Sequence, residues 1–305
     1  MTEATTNLEH PFDRSGEPAK TKSRARKLSY PRTTVRPHRR SPSRGGPVTT
    51  AATPEESLVA EVLTDAELPP GRWIGLMWVS DDPLADPGRY RACIAGFDRS
   101  GLWPVLIPHD PRFAATGEDW LTDRGRLAPA VHHVGNFDVA ATLARWWDPF
   151  CCPDGTGCLR PYSAGFPGLA KKSQLRVDPL AEAGNTGSIL VRRAPHRLGL
   201  VPVERPADVP AALGWTGMIK STDEVAAVSA VLRSWEDRFG ATLIVLGFDE
   251  LELSVAAPPR NQNRSLVLAA EHRAFSLRSF SGQPGTLREY AAGLVHRRHW
   301  RFSWD

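Results

Sequence analysis

The pattern of hydrophobic and polar positions is clearest in the last third of the chain. Residues 225–239 carry apolar side chains at helical spacing, 242–247 is a continuous apolar run, and 250–255 alternates. In chain order the expected elements are a strand at 198–203, a helix at 225–239, strands at 242–247 and 250–255, helices at 264–273 and 286–295, and a strand at 299–305. This β-α-β-β-α-α-β sequence predicts an α+β fold of ferredoxin-like order, in which helices cover one face of a mainly antiparallel sheet.

The apolar faces of these elements predict a common core. The side chains expected to be buried together are Val228, Val231, Trp235, Leu243, Val245, Leu253, Leu294 and Trp304. Two capping boxes are expected at helix starts, one formed by Ser221 with Glu224 and one by Thr286 with Glu289. In such a box the hydroxyl and the carboxylate each accept a hydrogen bond from the other residue's backbone N–H.

A second set of elements is expected upstream. In chain order these are a helix from Thr53, strands at 73–79, 90–97 and 102–107, and a helix at 137–147. Pro104 has no N–H to donate to a neighbouring strand, so the third strand is expected either to start late or to lie at the edge of a sheet.

Gly, Pro and charged residues replace any regular pattern between 151 and 195. Because long loops are uncommon inside compact domains, we interpret this stretch as an interdomain linker. The expected organisation is a disordered basic tail at 1–52, an N-terminal α+β region at 53–150, a loop-rich linker at 151–195 and a C-terminal domain at 196–305.

Charge is distributed unevenly along the 305 residues, although the net charge is only +4. Residues 1–50 hold eleven Lys or Arg against four Asp or Glu, a balance of +7, so the remainder carries −3. The tail has few apolar side chains and many Pro and Gly, which predicts disorder. Its cations also suggest a weak contact with nucleic-acid phosphates through residues 20–44. The alternatives are a solvated leader without a ligand, or sequence upstream of the natural start.

The composition argues against membrane and secreted classes of protein. The longest apolar stretches span only a few residues, whereas a membrane-spanning helix needs about 20. The first 30 residues lack the apolar stretch of a secretory signal, and 4 Cys are too few for a disulfide scaffold. These features predict a soluble, cytoplasmic protein that does not contact a membrane.

Five motifs of the C-terminal region occur in the order found in a known bacterial family. They are Ser234-Trp235-Glu236-Asp237-Arg238-Phe239-Gly240-Ala241, Leu246-Gly247-Phe248-Asp249-Glu250-Leu251-Glu252-Leu253-Ser254-Val255-Ala256, Ala270-Glu271-His272, Thr286-Leu287-Arg288-Glu289-Tyr290-Ala291 and Trp300-Arg301-Phe302-Ser303-Trp304-Asp305. On these residues the region at roughly 196–305 resembles the bacterial domain-of-unknown-function family 4253. Upstream, Trp103-Pro104-Val105-Leu106 and Phe166-Pro167-Gly168-Leu169-Ala170 are similar to segments that precede this domain in actinobacterial members. The resemblance implies no activity.

Three cysteines lie within eight residues: Cys151, Cys152 and Cys158. They are weak candidates for metal ligands, together with the nearby His132 and His133. Zinc sites usually pair ligands across two to four intervening residues, whereas the intervals here are zero and five. No bound metal is therefore expected, and loop thiols able to form a disulfide are the alternative.

The candidates for acid–base chemistry are Glu271 and His272 on a predicted helix, with Asp249 and Glu252 near a predicted hairpin. Neighbouring helix positions point about 100° apart, so Glu271 and His272 do not easily share one site. The alternative is that one of them supports a loop while the other faces solvent.

No glycine-rich phosphate loop, nucleophile elbow or zinc-protease motif occurs in the sequence. The leading hypothesis is therefore a non-catalytic protein-interaction module without a cofactor, and its partner is expected to be a protein. One alternative is a hydrolase or nuclease-like enzyme that uses dispersed carboxylates and His272. Another is nucleic-acid binding through the basic tail. A deep pocket where His272 meets two carboxylates would favour the enzyme, whereas a flat aromatic patch would favour the interaction module.

Overall fold

The computed structural model describes residues 68–109, 126–149, 157–163, 165–277 and 285–304. Its strands are β1 Gly71–Ile74, β2 Met77–Ser80, β3 Leu102–Pro108, β4 His196–Pro202, β5 Ala241–Leu246, β6 Glu250–Val255 and β7 His299–Ser303. Its α-helices are α1 Pro87–Ser100, α2 Val139–Trp146, α3 Pro179–Arg193, α4 Val209–Leu213, α5 Val225–Phe239, α6 Gln262–Phe275 and α7 Leu287–Leu294. The predicted tail and the helix predicted from Thr53 lie outside the described residues.

These strands form one seven-stranded sheet in the order β1-β2-β4-β3-β5-β6-β7. Every neighbouring pair is antiparallel except β3 and β5, which run parallel. The α+β class with a mainly antiparallel sheet is thereby confirmed. The spatial order is not that of a ferredoxin-like sheet, because β3 lies between β4 and β5 and separates the first strand of the C-terminal region from the second.

Strand β3 begins at Leu102 and lies inside the sheet, so both expectations drawn from Pro104, a late start and an edge position, are wrong. On one side of β3, Pro104 pairs with Leu200 of β4. On the other side, β3 and β5 are paired at one position, Leu106 with Val245. The indole of Trp103 donates a hydrogen bond of 2.8 Å to the carbonyl of Leu243 on β5. The backbone nitrogen of Pro104 has no hydrogen to donate. The bond from the Trp103 side chain therefore joins β3 and β5 next to the proline.

Because β3 comes from the predicted N-terminal region and β4 to β7 from the C-terminal one, the two regions share one sheet and one core. The predicted linker contains helix α3, whose Gly187 lies against the ring of Tyr90 on α1. An added Cβ at Gly187 would lie 2.0 Å from that ring, so the two helices approach closely where a side chain is missing. A shared sheet leaves no boundary between separate cores at 151–195.

Helices flank both faces of the sheet, not one face as predicted. Leu253 of β6 pairs with Trp300 of β7. The ring centroid of Trp300 lies 5.9 Å from that of Trp235 on α5. The next residue, Ser254, points to the opposite face and bonds to the hydroxyl of Thr186 on α3. The sheet therefore has α5 on one side and α3 on the other.

Helix α1 replaces the strand predicted at 90–97. Asp86 caps it by accepting a hydrogen bond of 2.8 Å from the N–H of Gly88, and Gly101 ends it in the left-handed conformation with φ of 66°. Its buried side chains recur at helical spacing: Tyr90, Cys93, Ile94 and Phe97. A short apolar run fits both helix and strand periods, which explains the error.

A β-hairpin replaces the strand predicted at 73–79. Gly75, with φ of 58°, lies in the turn between β1 and β2, and Trp73 pairs with Trp78 across the hairpin. The continuous apolar run therefore folds back on itself at the glycine, the residue that adopts a positive φ at least cost.

The elements predicted for the C-terminal region are present, with the short helix α4 added. The capping box of Thr286 and Glu289 is confirmed at the start of α7. The box of Ser221 and Glu224 is wrong, because α5 begins after Glu224 without a side-chain cap. All eight side chains predicted for the core are buried in one cluster.

Candidate functional site

Helix α6 carries two adjacent sequence candidates, Glu271 and His272, and both side chains are fully buried. The two groups have different surroundings, as expected for neighbours that point about 100° apart on a helix. Glu271 lies among hydrogen-bond donors, whereas His272 lies among aromatic rings.

The carboxylate of Glu271 accepts four hydrogen bonds. Its Oε1 accepts from the N–H of Ala170 at 2.6 Å and from Nη1 of Arg238 at 2.8 Å. Its Oε2 accepts from Nη2 of Arg238 at 2.6 Å and from the indole Nε1 of Trp235 at 2.8 Å. Burial of a carboxylate is tolerated when it is paired and hydrogen-bonded in this way. Glu271 therefore anchors internal structure.

Arg238 extends this cluster to the segment that follows Gly168. Its Nη1 donates to the carbonyl of Ala170 at 2.8 Å, and its own backbone carbonyl accepts from the N–H of Ser173 at 2.9 Å. Together, Arg238 and Glu271 hold both backbone polar groups of Ala170. Glu271 thus supports a loop. This is the role that the alternative to acid–base chemistry assigned to one of the two residues Glu271 and His272.

The imidazole of His272 is enclosed by aromatic rings. Its centroid lies 5.1 Å from Trp235, 4.6 Å from Trp300 and 4.9 Å from Phe302. Its Nδ1 lies 3.1 Å from the hydroxyl of Tyr290, and its Nε2 has no hydrogen-bond partner in the described part of the chain. His272 is therefore enclosed in the core and does not face solvent.

Burial lowers the pKa of His272 well below its ordinary value of 6.5, and the charges of Arg297 and Arg238 lower it further. The imidazole is therefore neutral at pH 7. No carboxylate is among the hydrogen-bond partners that the described residues give it.

The other two acid–base candidates lie elsewhere. Glu252 is on the face of β6 opposite to Leu253 and His272, and its Oε2 is 2.6 Å from Nε2 of His299 on β7. Asp249 is half-buried in the turn between β5 and β6, where its backbone carbonyl accepts from the N–H of Trp304 at 2.9 Å. The structure thus joins Glu252 with His299, not with His272.

The cysteine candidates offer little for metal binding. Cys158 is disulfide-bonded, while Cys151 and Cys152 lie outside the described residues. Cys93 is a free thiol on α1, and burial raises its pKa to about 12. The described residues contain no group of three or more His, Cys, Asp or Glu that could hold a metal ion.

A hollow with cationic walls lies where the segments 174–176, 256–260 and 296–298 meet. It has a volume of about 70 Å³. Its polar lining consists of Gln174, Arg176, Arg260, His296 and Arg298, and its described lining contains no Asp or Glu. We call this feature the basic hollow. No sequence motif marks the basic hollow, because its residues come from three segments separated by up to 120 positions.

The walls of the basic hollow are tied together by backbone hydrogen bonds. The N–H of His296 donates to the carbonyl of Pro259 at 2.9 Å, and the N–H of Val255 donates to the carbonyl of Arg298 at 2.8 Å. His296 has a φ of 60°, an uncommon value for a residue other than glycine. These bonds hold the cationic side chains on a fixed frame.

By fold and by these contacts, the described part of the chain is an α+β protein with a buried Arg–Glu cluster and an arginine-lined hollow. Its residues 197–305 match the family model of the domain of unknown function DUF4253, which confirms the resemblance of the C-terminal region. No curated protein and no solved structure matches the chain. None of the helices in the described residues is long and apolar enough to cross a membrane.

Proposed function

We propose that the protein is a non-catalytic interaction module that binds an acidic segment of a protein partner in the basic hollow. One observation carries this proposal: three arginines and a histidine surround one small hollow whose described lining contains no carboxylate. The positive charges of the three arginines attract anionic groups and speed their association.

The size of the hollow supports a partner over a free small molecule. Its volume is about 70 Å³, whereas pockets that enclose drug-sized ligands measure roughly 300–1,000 Å³. A single acidic side chain that projects from a larger partner fits this space better than a whole metabolite.

The roles of Glu271 and His272 also support binding over catalysis. Every described contact of Glu271 is with a donor of the chain itself, and His272 is covered by aromatic rings. Neither group is available to a substrate in this arrangement, because a general acid or base must be within hydrogen-bond reach of the reacting atoms.

Calorimetric titration of the full chain with a short peptide of alternating Glu and Gly tests the proposal. The variant Arg176→Glu/Arg260→Glu should bind at least about tenfold more weakly, because two attractive charges become repulsive. Arg192→Glu/Arg193→Glu is the matched control: it changes the net charge equally at the far end of α3, about 20 Å from Pro179. Equal loss in both variants, or no binding by the wild type, would refute the proposal.

A hydrolase remains the second candidate, and the contact of 2.6 Å between Glu252 and His299 favours it. A carboxylate that orients a partly exposed histidine is a common arrangement for general base catalysis. The test is a screen of the full chain against ester, peptide and phosphodiester substrates. Activity that is lost in both Glu252→Gln and His299→Ala would support the enzyme, and activity unaffected by either change would exclude this pair.

Nucleic-acid binding through residues 20–44 and a cytoplasmic location also remain proposals. The tail lies outside the described residues, and its charge is the support for the contact. The disulfide at Cys158 argues against a permanently reducing compartment, so fractionation of the native host is the direct test of location.

A further inference from the structure

Two arginines of the basic hollow, Arg176 and Arg260, differ from the arginines that are bound to carboxylates elsewhere in the described chain. Arg205, Arg233 and Arg238 each contact carboxylates with two nitrogens. By contrast, Arg176 and Arg260 have no ion-pair partner among the described residues. Two guanidinium groups at one place are therefore available to an external anion.

Arg298 is partly engaged. Its Nη1 donates to Glu182 of α3 at 2.8 Å, which fixes the side chain and leaves its other nitrogens to donate elsewhere. The hollow thus combines one arginine held in position with two that have no ion-pair partner in the part of the chain that the structure describes. This combination suits a ligand that accepts several hydrogen bonds at once.

Resting on the proposed function, we infer that the anionic group taken by the basic hollow is a phosphate monoester on a side chain of the partner. A phosphate monoester presents three terminal oxygens and carries a charge near −2 at pH 7, whereas a carboxylate presents two oxygens and one charge. Guanidinium groups match phosphate geometry with paired donors, so three arginines from three segments favour the tetrahedral anion.

The dimensions of the hollow agree with a single phosphate group. Its volume of about 70 Å³ is well below the roughly 300–1,000 Å³ of pockets that enclose drug-sized ligands, which suits one small anionic group. Helix α6 begins at Gln262, two residues after Arg260, with Asn261 as its cap. The positive end of this 14-residue helix therefore lies beside a wall of the hollow, where it adds to the attraction for a dianion.

The hollow is also preorganised on the side of Gln174 and Arg176. The preceding segment is held by the bonds of Ala170 to Arg238 and Glu271 and by the bond of Ser173 to the carbonyl of Arg238. A frame fixed before binding loses less entropy when the anion enters. The buried Arg–Glu cluster thereby supports the position of one wall.

The experiment is a calorimetric titration of the full chain with three otherwise identical Gly/Ser peptides. One carries a phosphoserine, one a Glu at the same position, and one an unmodified Ser. We expect the phosphoserine peptide to bind at least about tenfold more tightly than the Glu peptide, and the Ser peptide to show no binding. Arg176→Ala/Arg260→Ala should lose this preference, and the control Arg192→Ala/Arg193→Ala should keep it.

The remaining outcomes distinguish a failure of the phosphate assignment from a failure of the proposed function. Equal affinity for the phosphoserine and Glu peptides would overturn the inference and leave the proposed function intact. Failure of both peptides to bind would refute both. Inorganic phosphate that binds as tightly as the phosphoserine peptide would overturn the assignment of the ligand to a partner chain. A thermal melt of each variant shows that it is folded before its affinity is compared.

Discussion

Arg238 donates two hydrogen bonds to Glu271, one of 2.8 Å to Oε1 and one of 2.6 Å to Oε2. The two residues lie on helices α5 and α6, and the carboxylate is fully buried. The same guanidinium bonds to the carbonyl of Ala170. One charged pair therefore joins two helices and the segment that leads to the basic hollow, so its loss should affect stability more than a surface ion pair.

The change Glu271→Ala should lower the free energy of unfolding by about 3–5 kcal/mol, because it leaves the charge of Arg238 buried without a partner. Denaturation in urea measures the loss. The matched control is Asp81→Ala, which breaks an ion pair with Arg72 in which both side chains are largely exposed. That change should cost at most about 1 kcal/mol. Similar costs for the two variants would contradict a structural role for Glu271.

Trp235 should be among the most costly core residues to truncate. Its ring stacks on Phe302 at a centroid distance of 5.2 Å and contacts Phe275 edge-on at 4.9 Å, and its indole bonds to Glu271. Trp235→Ala should cost roughly 3–5 kcal/mol, because it opens a cavity and removes a partner of a buried carboxylate. A neutral result in denaturant melts would show that the aromatic cluster is not the core.

The two predicted capping boxes give a paired test of the structure. Thr286→Ala should cost about 1 kcal/mol, since the hydroxyl accepts from the N–H of Glu289 at 3.2 Å. Ser221→Ala should have almost no effect, because α5 begins after Glu224 without a side-chain cap. Urea denaturation of the two variants measures the difference, and an equal cost would mean that Ser221 caps the helix after all.

The sequence predicted helices and strands best where one face is buried over many residues. Helix α5 shows this, because its apolar positions extend over four turns. The apolar run at 90–97 is too short to distinguish the helical period from the strand period. The residues that mark it as a helix are Asp86, which caps its start, and Gly101, which ends it in the left-handed conformation. The sequence could not show that β3 lies between β4 and β5, because strand order depends on contacts between distant segments.

The candidate site was less predictable for the same reason. Glu271 and Arg238 are 33 positions apart, and Ala170 is 101 positions from Glu271. Glu271 and His272 are chemical candidates by residue type, and the helical pattern places both on one helix. That pattern describes one element at a time, so it does not show which residues of other segments surround them. A clue to the basic hollow was available only in part: the motif Arg297-Arg298 before the last strand concentrates charge there.

Any affinity for nucleic acid should belong to the tail. The remainder of the chain carries −3, whereas residues 1–50 carry +7. Binding of a duplex to the full chain should weaken steeply as salt increases, and removal of residues 1–50 should abolish it. Fluorescence anisotropy at several salt concentrations measures both effects. Binding that survives the truncation and does not respond to salt would assign the contact to the folded part instead.

The buried His272 should make stability depend on pH. In the folded protein its pKa lies well below 6.5, because the imidazole is desolvated and lies near Arg297 and Arg238. In the unfolded chain it should titrate near 6.5. Below that pH the unfolded state therefore binds a proton that the folded state does not. The stabilisation from the neutral imidazole is complete above about pH 6.5 and is lost as the pH falls towards the folded value.

The variant His272→Phe isolates this effect from the other titrating groups, because it keeps an aromatic ring among Trp235, Trp300 and Phe302 without a proton site. Urea denaturation of both proteins at a series of pH values measures the free energy of unfolding. Below pH 6.5 the wild type should lose up to about 1.4 kcal/mol per pH unit more than the variant, the value for one additional proton. Parallel pH profiles would mean that His272 reaches solvent in the folded state, and its position as a closed core group would then be wrong.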